Sequence, residues 1–223
     1  MTRHSKKLNL GILCASILTL GLVSTANAAL VSTLGGLAVY DTDRDISWLA
    51  DANAAAGTSF DDGFSATDGR MTWDNANAWA ASLNVGGVTG WRLPTAMNAD
   101  GTGPCSEYNC TGSEMGHLFY TELGGTAQNS ILSSGDPDLA LFSNVQSNDY
   151  WSGTEFAPSP GNALFFHVSV GYQGATNKDF NLSAWAVHSG DVGAASVPEP
   201  GTIALMGLGL AGLLGFGRHQ RQR

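Results

Sequence analysis

The middle of this 223-residue chain is predicted to fold as a single compact α+β domain. Two helical patterns lie in its first half, and strand-like runs lie at both of its ends. The two termini differ from this middle, because each combines an apolar run with a cluster of basic residues. We therefore divide the chain into residues 1–28, 29–195 and 196–223 and expect the central part to form one hydrophobic core, flanked by two terminal hydrophobic helices.

The first 28 residues have the three-part pattern of a secretory signal peptide. A basic start, MTRHSKK, is followed by an apolar run over residues 8–23 and by the small-residue site Ala26-Asn27-Ala28. An uncleaved membrane anchor is the alternative, but the apolar run is short and ends in a cleavage-type site. We expect signal peptidase to cut after Ala28 and the protein to be exported.

The central part is predicted to begin with two strands. Residues 37–40 and 46–49 are mainly apolar or aromatic, and the Asp-rich segment 41–45 between them is typical of a turn. A polar loop is expected over residues 50–70.

Residues 72–83 show the clearest helical pattern. Ala76, Trp79, Ala80 and Leu83 recur at the spacing i, i+3, i+4 and i+7, which places them on one face of a helix. Thr72 is the predicted N-cap, since a threonine hydroxyl can accept a bond from a free N–H group of the first turn.

A second helix is predicted over residues 113–123. Ser113 is its expected N-cap, and a Gly-Gly pair follows the last apolar position. Its inner face would be formed by Met115, Leu118, Phe119 and Leu123.

The last third of the central part is predicted to be β-structure. Strand-like runs occupy residues 149–152, 163–170 and 184–188. Turns are expected at residues 158–161 and around Gly171 and Gly174.

Two cysteines remain once the signal peptide is removed. Cys105 and Cys110 lie in a Gly-, Ser- and Asn-rich loop, and an exported protein meets an oxidising compartment. We expect them to form a local disulfide, because their spacing and the lack of further ligands nearby do not fit a C-x-x-C redox or zinc motif.

The C-terminal segment combines a short motif, an apolar run and a basic end. Val197, Pro198, Glu199 and Pro200 precede the uncharged residues 201–217, and three arginines follow. Seventeen apolar residues reach the lower limit for crossing a bilayer, and the arginines should remain cytoplasmic. A buried core helix is the alternative, but it would carry a polar face, which this segment lacks.

These three features, in this order, resemble the PEP-CTERM sorting signal, a tail that is also labelled an ice-binding protein C-terminal domain. The resemblance implies anchoring in the inner membrane through a transmembrane helix at 201–217, and then processing by an exosortase. The product would reach the periplasm, the cell surface or the extracellular matrix. Ice binding is not implied, because the chain has no regular Thr-x-Thr array.

The central part also resembles a known family. Its most distinctive motif is Trp91-Arg92-Leu93-Pro94-Thr95, and matching segments include residues 48–53, 71–73, 150–154 and 185–187. This ordered set is similar to the Lcl C-terminal domain, which implies a compact α+β domain of C-type-lectin-like or formylglycine-generating-enzyme-like pattern. The chain departs from the pattern by an inserted loop between Thr95 and Ser113, and by His188 where an arginine is expected.

The charge of the central part excludes one class of partner. Residues 29–195 contain four basic and 18 acidic residues, which gives a formal charge of −14. Nucleic acids and anionic lipids need clustered lysine and arginine, so neither is an expected partner of this domain. Such a surface could attract divalent cations.

Two acidic segments are candidates for calcium. Asp41, Asp43 and Asp45 alternate but lack the later EF-hand ligands, so we interpret them as a hairpin turn. Asp61, Asp62 and Asp68 lie in a second oxygen-rich loop, which is a weak calcium candidate and otherwise a solvated loop. No other cofactor is expected.

The aromatic residues suggest a site for a polysaccharide. Five of the six tryptophans fall inside predicted elements or motifs, so we assign them to the core. The sixth tryptophan, Trp151, is predicted to lie with its neighbour Tyr150 at an exposed rim, where flat rings could stack on a sugar. Arg92 is expected to form a structural ion pair.

We expect the delivered domain to have no catalytic activity. His117, His167 and His188 lack the i, i+4 spacing of a helical zinc site and are interpreted as structural. No nucleophile elbow is present, and the late cysteines of formylglycine-generating enzyme are missing. The predicted function is adhesion or contact with exopolysaccharide at the surface or in a biofilm matrix. The alternatives are an exported enzyme acting on polysaccharide through two carboxylates, or a purely structural surface component.

Overall fold

A computed structural model describes residues 29–194 of the chain, except Ala66. The predicted signal peptide (1–28), the sorting motif at 197–200 and the predicted transmembrane helix (201–217) lie outside the described residues. Within residues 29–65 and 67–194, no helix has both the length and the apolar character needed to cross a membrane.

The described residues form an α+β domain in which strands predominate. The strands are β1 (Leu30–Thr33), β2 (Ala38–Asp41), β3 (Ile46–Leu49), β4 (Arg70–Met71), β5 (Glu107–Tyr108), β6 (Asp149–Glu155), β7 (Asn162–His167), β8 (Tyr172–Asn177), β9 (Leu182–Ser183) and β10 (Val187–Ser189). The helices are α1 (Trp73–Ser82), α2 (Glu114–His117), which continues as a π-helical turn (Leu118–Glu122), and three short 3₁₀ turns at Leu34–Gly36, Ile131–Ser133 and Pro137–Leu141.

Two sheets organise these strands. The first has the order β1-β2-β3-β10 and is antiparallel, so the last strand of the described chain returns to pair with β3. The second has the order β4-β9-β6-β7-β8-β5, in which β6 and β9 pair in parallel through Tyr150 and Ser183. The sequence prediction gave the bounds of β3 correctly and displaced β2 and β7 by one to three residues.

The turn predicted around Gly171 and Gly174 is partly wrong, because residues 172–177 form β8. Gly174 pairs with Phe165 across the ladder. A side chain at Gly174 would meet the rings of Tyr172 and Phe165, at 2.7 and 3.1 Å from an added Cβ. Glycine is present here to leave room for aromatic rings, and sequence reasoning interpreted it as a signal for a turn.

The tryptophans form much of the core. Trp48, Trp79, Trp91 and Trp185 are buried as predicted, while Trp73 is half-buried. The Trp185 indole N–H donates to the Leu49 carbonyl at 2.7 Å, which ties the chain before β10 to β3.

The prediction that Tyr150 and Trp151 lie at an exposed rim is wrong. Both side chains are fully buried, because both rings pack within the hydrophobic core on either side of the inner strand β6. The Trp151 indole donates to the Met71 carbonyl at 2.8 Å, and the Tyr150 ring packs 5.6 Å from that of Trp185. Neither residue can contact a ligand at the surface.

The first predicted helix is confirmed as α1. Ala76, Trp79 and Ala80 are buried and Leu83 packs against the core just beyond the last helical residue. Thr72 precedes the helix in an extended conformation, but its hydroxyl makes no capping hydrogen bond, contrary to expectation.

Candidate functional site

The motif at residues 91–95 connects the two sheets. Arg92 exchanges two backbone hydrogen bonds of 2.8 Å with Val187 in β10, and the Pro94 carbonyl accepts the N–H of Gly153 in β6 at 2.9 Å. Within the motif, the side chains of Trp91 and Leu93 are buried in the core. This motif therefore has a structural role, since its backbone bonds one strand from each sheet.

Glu114, the first residue of α2, is bound to the same motif. Its carboxylate accepts hydrogen bonds from both terminal nitrogens of Arg92, at 2.7 and 2.8 Å, and from the backbone N–H of Thr95 at 2.7 Å. These bonds to Glu114 raise the pKa of the Arg92 guanidinium. The expectation of a structural ion pair at Arg92 is confirmed.

The inserted loop at residues 96–112 is fixed at several points. Cys105 and Cys110 form the predicted disulfide. The buried side chain of Gln173 in β8 donates to the carbonyls of Cys105, at 2.7 Å, and Ala96, at 3.4 Å. The Tyr120 hydroxyl accepts the backbone N–H of Asn109 at 3.0 Å. The 17-residue polar segment is thereby held in one place.

This loop forms one wall of a polar cleft of about 480 Å³, here called the loop cleft. The residues that line it are Arg44, Asn98, Ala99, Asp100, Cys105, Asn109, Cys110, Thr111 and Gly112. Arg44 crosses from the β2–β3 turn and donates to the Thr111 carbonyl at 2.9 Å. A second cavity of about 350 Å³ shares Arg44, Asn98 and Ala99 with the loop cleft and extends to Glu114.

The weak calcium candidates do not form a common site. Asp61 accepts the backbone N–H groups of Gly57 and Gly69 through one oxygen, at 2.9 and 3.1 Å. Asp68 accepts the N–H of Arg70, and Asp62 accepts the side chain of Asn75. Their carboxylates do not converge, and each instead holds a nearby part of the chain. A calcium site at these three residues is therefore not supported.

Asp41 to Asp45 form the predicted hairpin turn. One oxygen of Asp41 accepts the backbone N–H groups of Asp43 and Arg44, at 3.0 Å each. Asp45 has a positive φ of 51° and accepts the Tyr40 hydroxyl at 2.9 Å. The Asp-rich run is explained by turn geometry, because short carboxylates bond to nearby backbone N–H groups.

The other oxygen of Asp41 belongs to a buried group that sequence reasoning missed. In the described residues, the side chains of Asp41, His117 and Glu122 bring one ligand atom each to within 4.8 Å of the other two. His117 Nε2 lies 2.8 Å from Glu122 Oε1 and 3.8 Å from Asp41 Oδ2. All three residues are buried.

The π-helical turn explains why His117 and Glu122 meet. In an α-helix, residues five apart would point about 140° away from each other. Here the Leu123 N–H donates to the Leu118 carbonyl five residues earlier, at 3.0 Å, which widens the turn and aligns residues at i and i+5. The predicted helix at 113–123 is confirmed in extent, and Ser113 caps it by accepting the Gly116 N–H at 3.1 Å.

Burial shifts the protonation of this group. It raises the pKa of the Glu122 carboxyl to about 7, with a further contribution from the nearby Asp41, and it also raises the pKa of Asp41. Burial, followed by the charge of Arg44, lowers the pKa of His117. Burial therefore disfavours the charged form of each of the three groups.

The other two histidines of the described chain lie apart from this group. His167 contacts Ser169 and lies 3.8 Å from Asp149, and His188 pairs with Ser47 and packs on Trp91. The interpretation of His117 as a structural residue rests on the absence of a ligand at the i, i+4 spacing in the sequence. The only sequence signal for this group is the i, i+5 spacing of His117 and Glu122. This spacing places two side chains together only where the helix contains a π turn.

Comparison with known proteins identifies both parts of the chain. The family model described as the Lcl C-terminal domain matches residues 37–188, and that of the PEP-CTERM protein-sorting motif matches residues 196–222. No curated protein matches the chain. The sorting motif indicates an exported protein that is addressed to the cell envelope and processed by an exosortase. The match to the first model covers more than half of the chain, so the protein belongs to the Lcl C-terminal domain family.

Proposed function

We propose that the exported domain is a non-enzymatic surface or matrix module that contacts polysaccharide through the loop cleft. The observation that carries this proposal is a polar cleft whose wall, the inserted loop, is fixed by a disulfide and by the buried Gln173. A binding site of this kind loses little conformational entropy when a ligand enters. The lectin-like fold that the family resemblance implies would suit the same role.

The groups in the loop cleft are those that bind sugar hydroxyls. Asn98 and Asn109 offer amides, Arg44 offers a guanidinium and Asp100 a carboxylate. Each can donate to or accept from hydroxyl groups, while the net charge of −14 between residues 29 and 195 disfavours an anionic ligand. A neutral polysaccharide is the ligand class that these charges favour.

An aromatic pair lies on the same loop. Tyr108 in β5 is partly exposed and packs edge-on against Tyr172 in β8, with 5.3 Å between ring centres. Tyr108 directly precedes Asn109, which lines the loop cleft. A ring at this position can stack on the C–H face of a sugar, the role that sequence reasoning gave to Tyr150 and Trp151.

The acids of these cavities favour binding over hydrolysis. A glycosidase needs one carboxyl group with a raised pKa to act as the general acid. Hydrogen bonds from Thr102 lower the pKa of Asp100. Glu114 already accepts three hydrogen bonds from Arg92 and Thr95. Asp100 is therefore unsuited to donate a proton, and the Glu114 carboxylate is already occupied by Arg92 and Thr95.

We propose further that residues 201–217 anchor the precursor in the inner membrane before the exosortase acts. Support comes from the uncharged composition of this segment and from the arginines that follow it. The anchor would be temporary, so the domain would act after release.

The polysaccharide proposal is tested with the full chain, exported to the periplasm of a bacterial host and purified in detergent. A glycan array identifies a ligand, and calorimetric titration with that glycan measures its affinity. We expect Asn109→Gly to weaken binding at least about tenfold, because an amide that bonds to a ligand is removed. Glycine also tolerates the positive φ of 64° at this position, so the backbone should not change.

Gln128→Gly is the matched control. Gln128 also has a positive φ, of 66°, and is exposed on a loop that does not line the loop cleft. Its replacement should leave the affinity unchanged. Absence of binding to every glycan would contradict the proposal and favour a purely structural component. Release of reducing sugar from the bound glycan would favour the exported enzyme.

A further inference from the structure

We infer that Asp41, His117 and Glu122 form a binding site for a divalent transition metal, with zinc(II) as the preferred ion. This site is buried and separate from the ligand groups of the loop cleft, so the inference does not depend on polysaccharide binding. It rests on the geometry of three ligand atoms, on unpartnered polar atoms and on charge.

The distances between the ligand atoms fit a bound ion. Ligands of tetrahedral zinc, at bonds of about 2.1 Å, lie about 3.4 Å from one another. The separations of 2.8 Å between His117 and Glu122 and 3.8 Å between His117 and Asp41 lie on either side of this value. Small side-chain adjustments would place an ion between them.

Two of these atoms have no hydrogen-bond partner among the described residues. They are Asp41 Oδ2, on a side chain with no exposed surface, and His117 Nε2. The contact of 2.8 Å with Glu122 lacks the alignment of a hydrogen bond, so it does not satisfy the imidazole nitrogen. A buried polar atom without a partner is costly, and a metal ion would satisfy both atoms at once.

Asp41 is held in the orientation that a ligand needs. Its Oδ1 accepts two backbone N–H groups from the turn, which fixes the carboxylate and directs Oδ2 towards His117. Metal-binding carboxylates are commonly oriented by such bonds from a second layer of groups. The turn therefore prepares one ligand, and the π-helical turn prepares the other two.

Charge supports the same conclusion. With both carboxylates ionised and His117 neutral, the buried group carries two negative charges, which a divalent cation would balance. Arg44 does not form an ion pair with this group, and its guanidinium instead donates to the Thr111 carbonyl at the cleft.

The ligand types select the class of metal. Calcium and magnesium prefer six or more oxygen ligands, and an imidazole nitrogen is unfavourable for both. One nitrogen and two carboxylates suit zinc(II), with manganese(II) the weaker alternative in the order of affinities. A bound ion would join the β2–β3 turn to the helical segment. It would thereby stabilise the side of the loop cleft to which Arg44 belongs.

The inference is tested by metal analysis of the full chain purified from the periplasm, treated with chelator and then titrated with zinc chloride. We expect one zinc per chain and an increase in melting temperature on binding. Cobalt(II), used as a spectroscopic probe, should give visible absorption typical of a nitrogen-ligated site. His117→Gln and Glu122→Gln should each weaken zinc binding by more than about tenfold, since even supporting residues cost that much.

His167→Gln is the matched control, because His167 is also near a carboxylate but outside the group. It should bind zinc as the wild type does. A wild-type chain that binds no zinc would overturn the inference whether or not the variants fold. Loss of binding in His167→Gln but not in the other two variants would also overturn it. So would calcium binding with zinc excluded.

Discussion

Glu114 shows how much one side chain can contribute to stability when its partners lie in another part of the chain. It is mostly buried, and its three hydrogen bonds connect the start of α2 to Arg92 and Thr95. Bonds to a charged group are stronger than those between neutral groups, and a broken one leaves its partner unsatisfied.

We predict that Glu114→Gln lowers the free energy of unfolding by about 2 kcal/mol. Glutamine has one acceptor oxygen, and its NH₂ group would face the Arg92 donors. Urea denaturation of the purified chain measures the change. Glu155→Gln is the control, because Glu155 pairs with Lys178 at the surface, where such pairs contribute less than about 1 kcal/mol. Equal effects of the two changes would show that the Arg92 pair has no special role.

Among the elements, α2 is the most constrained. It is four residues long and continues directly into the π-helical turn, and the inserted loop ends against it. Gly116 lies where a Cβ atom would come within 1.8 Å of the Cys110 carbonyl oxygen and 2.8 Å of the Ser113 hydroxyl. Glycine is required here because the disulfide loop packs directly on the helix.

We predict that Gly116→Ala destabilises the protein by about 3 kcal/mol or more, because backbone must move to admit the methyl group. Hydrogen exchange should show the greatest loss of protection in residues 105–117. Gly161→Ala is the matched control, since Gly161 has nothing within 4 Å of an added Cβ and no positive φ. Its effect should stay within about 0.5 kcal/mol. A mild effect at Gly116 would mean that the loop is not packed on α2.

The whole molecule is a folded domain joined to a sorting motif. The Lcl C-terminal domain match ends at residue 188, and the sorting match begins at residue 196. The exosortase recognises the sorting motif, which addresses the protein to the cell envelope.

We predict that Glu199→Ala, within the Pro-Glu-Pro motif, blocks sorting without changing the folded domain. In a host with an exosortase, the variant should accumulate at precursor mass in the inner-membrane fraction. Fractionation and mass spectrometry of the C-terminus measure this, and Ala195→Ser, just outside the matched segment, is the control. Normal processing of Glu199→Ala would contradict the assignment of the motif.

Local patterns allowed a large part of the fold to be predicted. The periodicity of α1, the Ser113 cap and the bounds of β3 all depend on residues close in sequence, and each is confirmed. The Gly174 turn failed because the role of that glycine is set by two rings that pack against it.

The candidate sites were less predictable, because they depend on strand order and on helix geometry. Sequence alone determined the acidic charge and the pairing of Cys105 with Cys110, since the first follows from composition and the second from a count of two cysteines in the central part. Only the tertiary structure decided that Trp151 is buried and that Asp41 meets His117 and Glu122. Burial depends on what packs against each face of β6, and the convergence depends on a π turn that no simple period of apolar residues encodes.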